Sequence, residues 1–224
     1  MGYFAKEHKY LAVVETPFVD IIVSEFIRRS GIKKGQRMLE IGPGYGRFSI
    51  PLLKQGHDMA LSDNEPSMVK RLKENIRTRN LKADVIAWDI TKAAPKDKYD
   101  VVCGFHVLHH LDDLKQGLAN ISKALKNNGK IAFLEPNPVN ALYYMQYAIF
   151  RDIHFKDEKG ILNMRKSCLR RTLNELGFKK ISISNFGFFP NFVVNTKYGA
   201  MLEKSFNKLS SNPFGLYRLI IASK

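Results

Sequence analysis

Met38-Leu39-Glu40-Ile41-Gly42-Pro43-Gly44-Tyr45-Gly46 is the stretch on which the reading of this chain turns. Gln36 to Ile41 is a short apolar run that stops at alternating glycines, and Ser49 to Leu53 resumes at helical spacing. The pattern is that of a strand, a tight turn and a helix, the arrangement that closes a backbone on a nucleotide-like ligand. Glycine at such a turn takes φ > 0 and brings no Cβ to the ligand. The next apolar run, His57 to Ser62, ends at Asp63. A carboxylate there can accept hydrogen bonds from both hydroxyls of a ribose.

Outward from this turn, strand and helix alternate. Strands are predicted near 36–41, 57–62, 84–88, 99–104 and 130–135, and helices near 47–55, 66–79 and 112–126. Pro66 suits a first helical turn and Asp112 a helix cap. Leu114, Leu118, Ile121 and Leu125 make one apolar stripe. Residues 1–35 read as helical, with Gly31 and Gly35 as stops. Such alternation implies an α/β fold with a mostly parallel sheet covered on both faces. After the fifth strand the rhythm changes. Residues 136–160 are aromatic-rich, a helix is predicted from about 167 to 176 with Gly177 at its C′ position, and 180–184 and 216–222 read as two last strands. The connection between them, about thirty residues, is uncommonly long for a compact domain without a function.

The length of 224 residues suits one domain, expected as a helical cap over 1–35, a core over 36–135, an insertion over 136–166 and a C-terminal helix and hairpin over 167–224. Cys103 and Cys168 make no disulfide framework, and no run has the length or apolarity of a signal peptide or membrane span. A cytoplasmic protein, at most peripheral to a membrane, is the expectation. The net charge of +15 implies attraction to nucleic acid, anionic lipid or a phosphorylated substrate. It is densest at Lys70, Arg71, Lys73, Arg77, Arg79 and Lys82, and at Arg165, Lys166, Arg170, Arg171, Lys179 and Lys180. A solvated face is the plainer reading of both zones.

Glu40-x-Gly42-x-Gly44-x-Gly46 resembles motif I of the class I S-adenosylmethionine (SAM)-dependent methyltransferases, and its spacing departs from the G-x-G-x-x-G of dinucleotide binders. Phe105-His106-Val107-Leu108-His109-His110-Leu111 is similar to the "VLHHL" segment of the UbiE/UbiG-like (type 11) small-molecule group. Ala124-Leu125-Lys126-Asn127-Asn128-Gly129 is similar to its "LLKPGG" turn, departing at Asn127 and Asn128, which still suit a turn. The resemblance covers about 36–135 well and the final hairpin loosely. It implies a Rossmann-like seven-stranded sheet whose last strand inserts antiparallel between the fifth and sixth. It implies SAM as cofactor, with S-adenosylhomocysteine as product. The implied cofactor contacts are Glu40, Gly42, Pro43, Gly44, Gly46, Asp63, Asn64, Asp89, Ile90 and Phe105. Asp89 is implied to accept from the adenine amino group; a turn or cap residue is its alternative.

Methyl transfer from a sulfonium is an in-line displacement, so the protein mainly aligns donor and acceptor. A hydroxyl acceptor gains from a general base, and histidine suits neutral pH. His106 is the first candidate and His109 the second; packing beneath the segment is the alternative for both. Glu135 and Asn137 end the fifth strand, where strand carboxyl ends line a ligand crevice. They are candidates for acceptor contact, or else parts of a loop set by Pro136 and Pro138. Tyr143, Tyr144, Tyr147 and Phe150, with Phe186, Phe188, Phe189 and Phe192, are expected to build an acceptor site for an apolar or ring-containing small molecule. Core packing, a dimer interface or shallow contact with an anionic membrane would also cover the first group. No ligand set calls for a metal. The segment Cys103-Gly104-Phe105-His106 lacks the Asn/Asp-Pro-Pro-aromatic pattern of amino-methylating nucleic-acid enzymes. An RNA methyltransferase using the basic surface and a non-catalytic SAM-binding module stand as the other readings.

Overall fold

The computed structural model describes residues 12–144, 155–208 and 212–224, with the side chains of 155–159 outside the description. Helix α1 (Pro17–Ser30) starts where the Thr16 hydroxyl accepts from the Val19 N–H and Pro17 pre-sets the first turn. It stops at Gly31, whose left-handed backbone lets its N–H reach the Ile27 carbonyl at 3.0 Å. The helix expected over 1–35 is therefore confined to this span among the described residues. Next come β1 (Arg37–Ile41), α2 (Ser49–Lys54), β2 (Asp58–Asp63), α3 (Pro66–Arg77), β3 (Asp84–Ala87) and β4 (Tyr99–Phe105). Then α4 (Leu114–Ala124) and β5 (Leu125–Pro136) complete the first part. The cap of α4 is Asp113, not Asp112: its carboxylate accepts from the Gln116 N–H at 2.9 Å. Asn128 takes the left-handed conformation in the turn inside β5, a role Asn fills without great strain.

The remaining elements are a 3₁₀ segment (Phe155–Met164), α5 (Lys166–Glu175), β6 (Lys179–Phe186), α6 (Asn191–Val194), α7 (Lys197–Phe206) and β7 (Tyr217–Ser223). The long connection expected before the last strand thus carries two helices. Tyr143 and Tyr144 lie in a helical stretch, whereas Tyr147 and Phe150 fall outside the described residues.

The strands form one seven-stranded sheet in the order β3-β2-β1-β4-β5-β7-β6. β1 to β5 pair in parallel, and β7 runs antiparallel to both neighbours, as the resemblance implied. Alternation along each strand feeds two cores. Leu39, Val102 and Phe133 pack with Leu118 and Ile121 of α4 and Leu169 and Leu173 of α5. Met38, Val101 and Leu134 pack on the other face with Ile22 and Phe26 of α1, Leu52 of α2 and Leu72 of α3.

One polar knot lies within this apolar frame. Arg218 of β7 is almost wholly buried and, among the described residues, meets only neutral acceptors: Asn185 Oδ1 at 3.0 Å, Asn137 Oδ1 at 2.6 Å and the Met164 carbonyl. Burial pushes its pKa down to about 10, which leaves it charged at neutral pH. The guanidinium fork joins these three segments. Arg218→Met keeps the bulk but removes a donor from three buried acceptors, of which Asn137 Oδ1 keeps the Val139 N–H at 3.3 Å, so it is expected to cost about 2–4 kcal/mol in urea denaturation. A loss under about 0.5 kcal/mol would show that water replaces the guanidinium.

Candidate active site

The carboxyl ends of the parallel strands and the start of β7 meet at one edge of the sheet. At that edge Gly42, Gly44 and Gly46 have φ of 65°, 55° and 93°. A side chain at Gly44 would be strained in any allowed space. At Gly42 a Cβ would also stand 2.6 Å from the Val107 side chain, which therefore roofs the turn. The turn is tied down by Gly42 N–H to the Ser62 carbonyl at 2.8 Å and by Gly46 N–H to the Pro43 carbonyl at 2.9 Å.

Asp63 ends β2 as expected and is nearly buried. Its Oδ2 accepts from the Gly44 N–H at 3.3 Å and its Oδ1 from the Glu65 N–H at 3.0 Å. Burial raises its pKa, and the backbone donors oppose that shift. Asp63 thus couples the glycine turn to the turn after β2, where Asn64 is exposed. Glu40, under the turn, is buried, and its Oε2 has no hydrogen-bond partner among the described residues. Burial pushes its carboxyl up to about 7, with nearby Ser49 giving partial relief.

Beyond β3, Asp89 serves its own turn: Oδ1 accepts from the Thr91 N–H at 2.9 Å and its hydroxyl at 2.7 Å, and Oδ2 faces Lys92 Nζ at 3.2 Å. The Thr91 hydroxyl, the Thr91 N–H and Lys92 hold its pKa below the ordinary carboxylate range. Ile90 is buried, with its carbonyl accepting from Asn120 Nδ2 at 2.8 Å. The Phe105 ring stacks on Phe48 at 4.5 Å and tilts onto Phe26 at 4.6 Å, inside the core.

His106 follows β4 with φ 55°, a conformation non-glycine residues rarely take. Its N–H donates to the Leu134 carbonyl at 2.7 Å. The ring is partly exposed and lies edge-on to Tyr217 at 5.7 Å and near Phe48 at 6.2 Å. Strain of this kind persists where the surroundings impose it, and it gathers at working sites. His109 is different. It is buried, its Nδ1 is 2.6 Å from Glu135 Oε2, and a Cβ at Gly160 would stand 2.1 Å from its carbonyl oxygen. The 3₁₀ segment therefore lies against it.

The protein itself takes up the polar atoms of Glu135 and Asn137, both of which are buried. Glu135 Oε1 accepts from the Val107 N–H at 3.1 Å and the Leu108 N–H at 2.8 Å. Asn137 donates to the Gly215 and Pro213 carbonyls at 2.7 and 3.1 Å and accepts from Arg218. Tyr144 donates its hydroxyl to the Pro138 carbonyl at 2.8 Å and packs edge-on with Tyr143 at 5.4 Å. Phe189 is half-buried, edge-on to Phe206 at 5.6 Å. Phe186 lies under Arg29, 5.0 Å from its guanidinium carbon.

Two residues were missed by sequence reasoning. Arg47 follows the last glycine of the turn and lies 5.4 Å from the ring centres of both Phe18 and Phe48. Tyr217 opens β7 opposite Pro136 and Phe186. Burial pushes its hydroxyl pKa upward, with the Arg47 cation pulling against it. Arg47 had a signal in its position next to Gly46. Tyr217 had one in the antiparallel direction of β7, which brings the beginning of that strand to the edge where parallel strands end. A groove of about 620 Å³ lined by Asp58, Lys73, Arg77, Lys82 and Asp84 lies at the opposite edge, where β2 and β3 begin. It is separate from this constellation.

A family model described as a methyltransferase domain matches residues 18–183. The ubiquinone biosynthesis O-methyltransferase of Pelagibacter ubique is 26% identical over 130 residues, covering 57% of this chain and 54% of that protein. The chain thus spans about half the length of that curated relative. A SAM-dependent methyltransferase from Archaeoglobus fulgidus has a similar fold at a TM-score of 0.60 and 23% identity, covering 92% of this chain and 94% of that one. Magnesium protoporphyrin IX methyltransferase from Synechocystis, solved with bound S-adenosylhomocysteine, gives 0.59 at 18% identity, covering 92% and 82%. The family match takes in the glycine turn, the acid that ends β2 and the histidine segment after β4, and on it the chain belongs to the methyltransferase-domain family.

Proposed function

We propose that the protein is a SAM-dependent methyltransferase that acts on a small-molecule acceptor, a hydroxyl on an apolar or ring-containing compound. The observation that carries this reading is the strained His106 beside the glycine turn, at the edge where Asp63 and Glu40 also lie. The name of the Pelagibacter relative supports an oxygen acceptor.

The residues fit SAM on one further ground. Glu40 Oε2 is a buried polar atom without a hydrogen-bond partner among the described residues, and such atoms are costly unless a ligand completes them. We read it as the partner of the cofactor's ammonium group, with Asp63 for the ribose hydroxyls, the glycine turn for close backbone approach, and Asp89 and Ile90 toward the adenine. When bound, SAM supplies an electrophilic methyl on a sulfonium. His106 takes the proton of the acceptor hydroxyl, and its fixed backbone keeps the ring at the crevice. Phe48 and Tyr217 flank the imidazole and give an apolar ring surfaces to pack on. Glu135 and His109 act at one remove by holding the segment that carries His106.

Asp63→Ala is expected to weaken SAM binding in calorimetry by about 1.5–3 kcal/mol, the scale of hydrogen bonds to a charged group, while NAD shows no binding to either form. Unchanged SAM affinity would remove Asp63 from the ribose role.

An ammonium beside Glu40 favours its charged form, and the carboxyl starts near 7. SAM binding at neutral pH should therefore release a proton, seen as a dependence of binding enthalpy on buffer ionisation enthalpy. Glu40→Gln should abolish that dependence. The same group shapes stability in the free protein. Its folded pKa of about 7 stands above the ordinary 4.5, so the unfolded chain loses this proton first. Its contribution to stability falls as pH rises from about 4.5 to 7, and Glu40→Gln should flatten that slope.

His106→Asn removes the base but keeps a residue that tolerates left-handed backbone. Turnover should fall about 100-fold with SAM affinity intact. Near-normal turnover would mean an acceptor that arrives already nucleophilic.

A further inference from the structure

Helix α7 is amphipathic the wrong way round. Its large apolar side chains are exposed: Tyr198 71%, Met201 59%, Leu202 42% and Phe206, which also packs on Phe188 and Phe189, 38%. They recur at the spacing of one helical face. Its acid faces inward. Glu203 is buried and accepts from the N–H groups of Phe188 and Phe189 at 3.1 and 3.0 Å and from Asn207 Nδ2 at 2.9 Å. Three ties stop the helix from turning its stripe inward. Thr196 caps the Gly199 N–H at 3.0 Å, Arg29 binds the Asn207 carbonyl at 2.7 Å, and a Cβ at Gly199 would stand 1.8 Å from the Val193 carbonyl of α6. Phe192 of α6 adds a further apolar group that is 68% exposed.

We propose that α7 and the neighbouring Phe192 form a docking face for an anionic lipid bilayer. Lys197 and Lys204 stand on one flank of the stripe, and Lys208 continues that flank past the helix end. All three are exposed, and among the described residues no ion pair engages them. The one acid of the helix is turned away from the surface. Apolar side chains beside lysines suit the boundary between headgroups and acyl chains. A second copy of this chain is a poor occupant, because the same lysines and a net charge of +15 would oppose each other across the interface. The contact is peripheral, since no described helix is long and apolar enough to cross a membrane. The inference rests on the fold and charge of this face, and it stands apart from the methyl-transfer reading.

The test is co-sedimentation of the full chain with phosphatidylcholine vesicles, with and without phosphatidylserine. Binding is expected only with phosphatidylserine and should weaken as salt rises. Met201→Glu should lower the partition coefficient about tenfold or more. Lys197→Gln and Lys204→Gln should each lower it roughly fivefold. Met201 and both lysines are exposed, so the thermal melt and SAM affinity should match the wild type in all three variants. Equal binding of wild type and Met201→Glu would overturn the proposal, as would no binding to phosphatidylserine vesicles at low salt. A dimer in ultracentrifugation that Met201→Glu abolishes would give the face to a second copy instead.

Discussion

The carboxylate of Glu135, at the end of β5 and out of contact with solvent, holds two backbone N–H groups and one imidazole of the segment after β4. Burial alone would push its pKa up, but His109, the nearby His106 and the Leu108 N–H together hold it below the ordinary range. It therefore remains a charged acceptor in the protein interior, where a missing donor would be expensive. Because Val107 and Leu108 are pinned to β5 in this way, His106 has little choice but its left-handed turn. Val107 is then driven over Gly42, into the space a side chain there would fill. The shape of the glycine turn after β1 is thus set partly from two strands away.

Local signals carried most of the fold. Glycine spacing, apolar runs and the start and stop residues of helices act within a few residues, so the strand and helix order of the core could be read directly. Gly177, with φ 78°, ends its helix as its sequence position implied. Asp113 in place of Asp112 is a failure of the same local kind, since both are capping residues and only the direction of the chain separates them.

The site was legible where function follows the turn and illegible where it follows distant partners. Asn137 looked like a crevice residue, but Pro213, Gly215 and Arg218 lie far along the chain and draw it inward. Tyr217 was passed over although its signal was present: the antiparallel insertion expected of β7 brings the start of that strand to the crevice edge. Helix α7 escaped notice because its periodicity is that of a helix whose apolar side is buried, whereas here the buried side holds Gly199 and Glu203. The hydrogen bonds from Phe188 and Phe189 to Glu203, residues apart in the chain, fix which way it faces.

The position of β7 also fixes an order of events during synthesis. This strand comes after all the others in the chain, yet it lies between β5 and β6. Until Tyr217–Ser223 has left the ribosome, β5 has an open edge rich in buried apolar residues, and β6 has no strand to pair with. Open edges of that kind recruit foreign strands. The open edge of β5 is therefore exposed to mispairing while residues 137–216 are made, and the arrival of β7 closes it. Arg218, the second residue of the arriving strand, gives that step a register check, since a slip by one position would turn its charge away from Asn137 and Asn185.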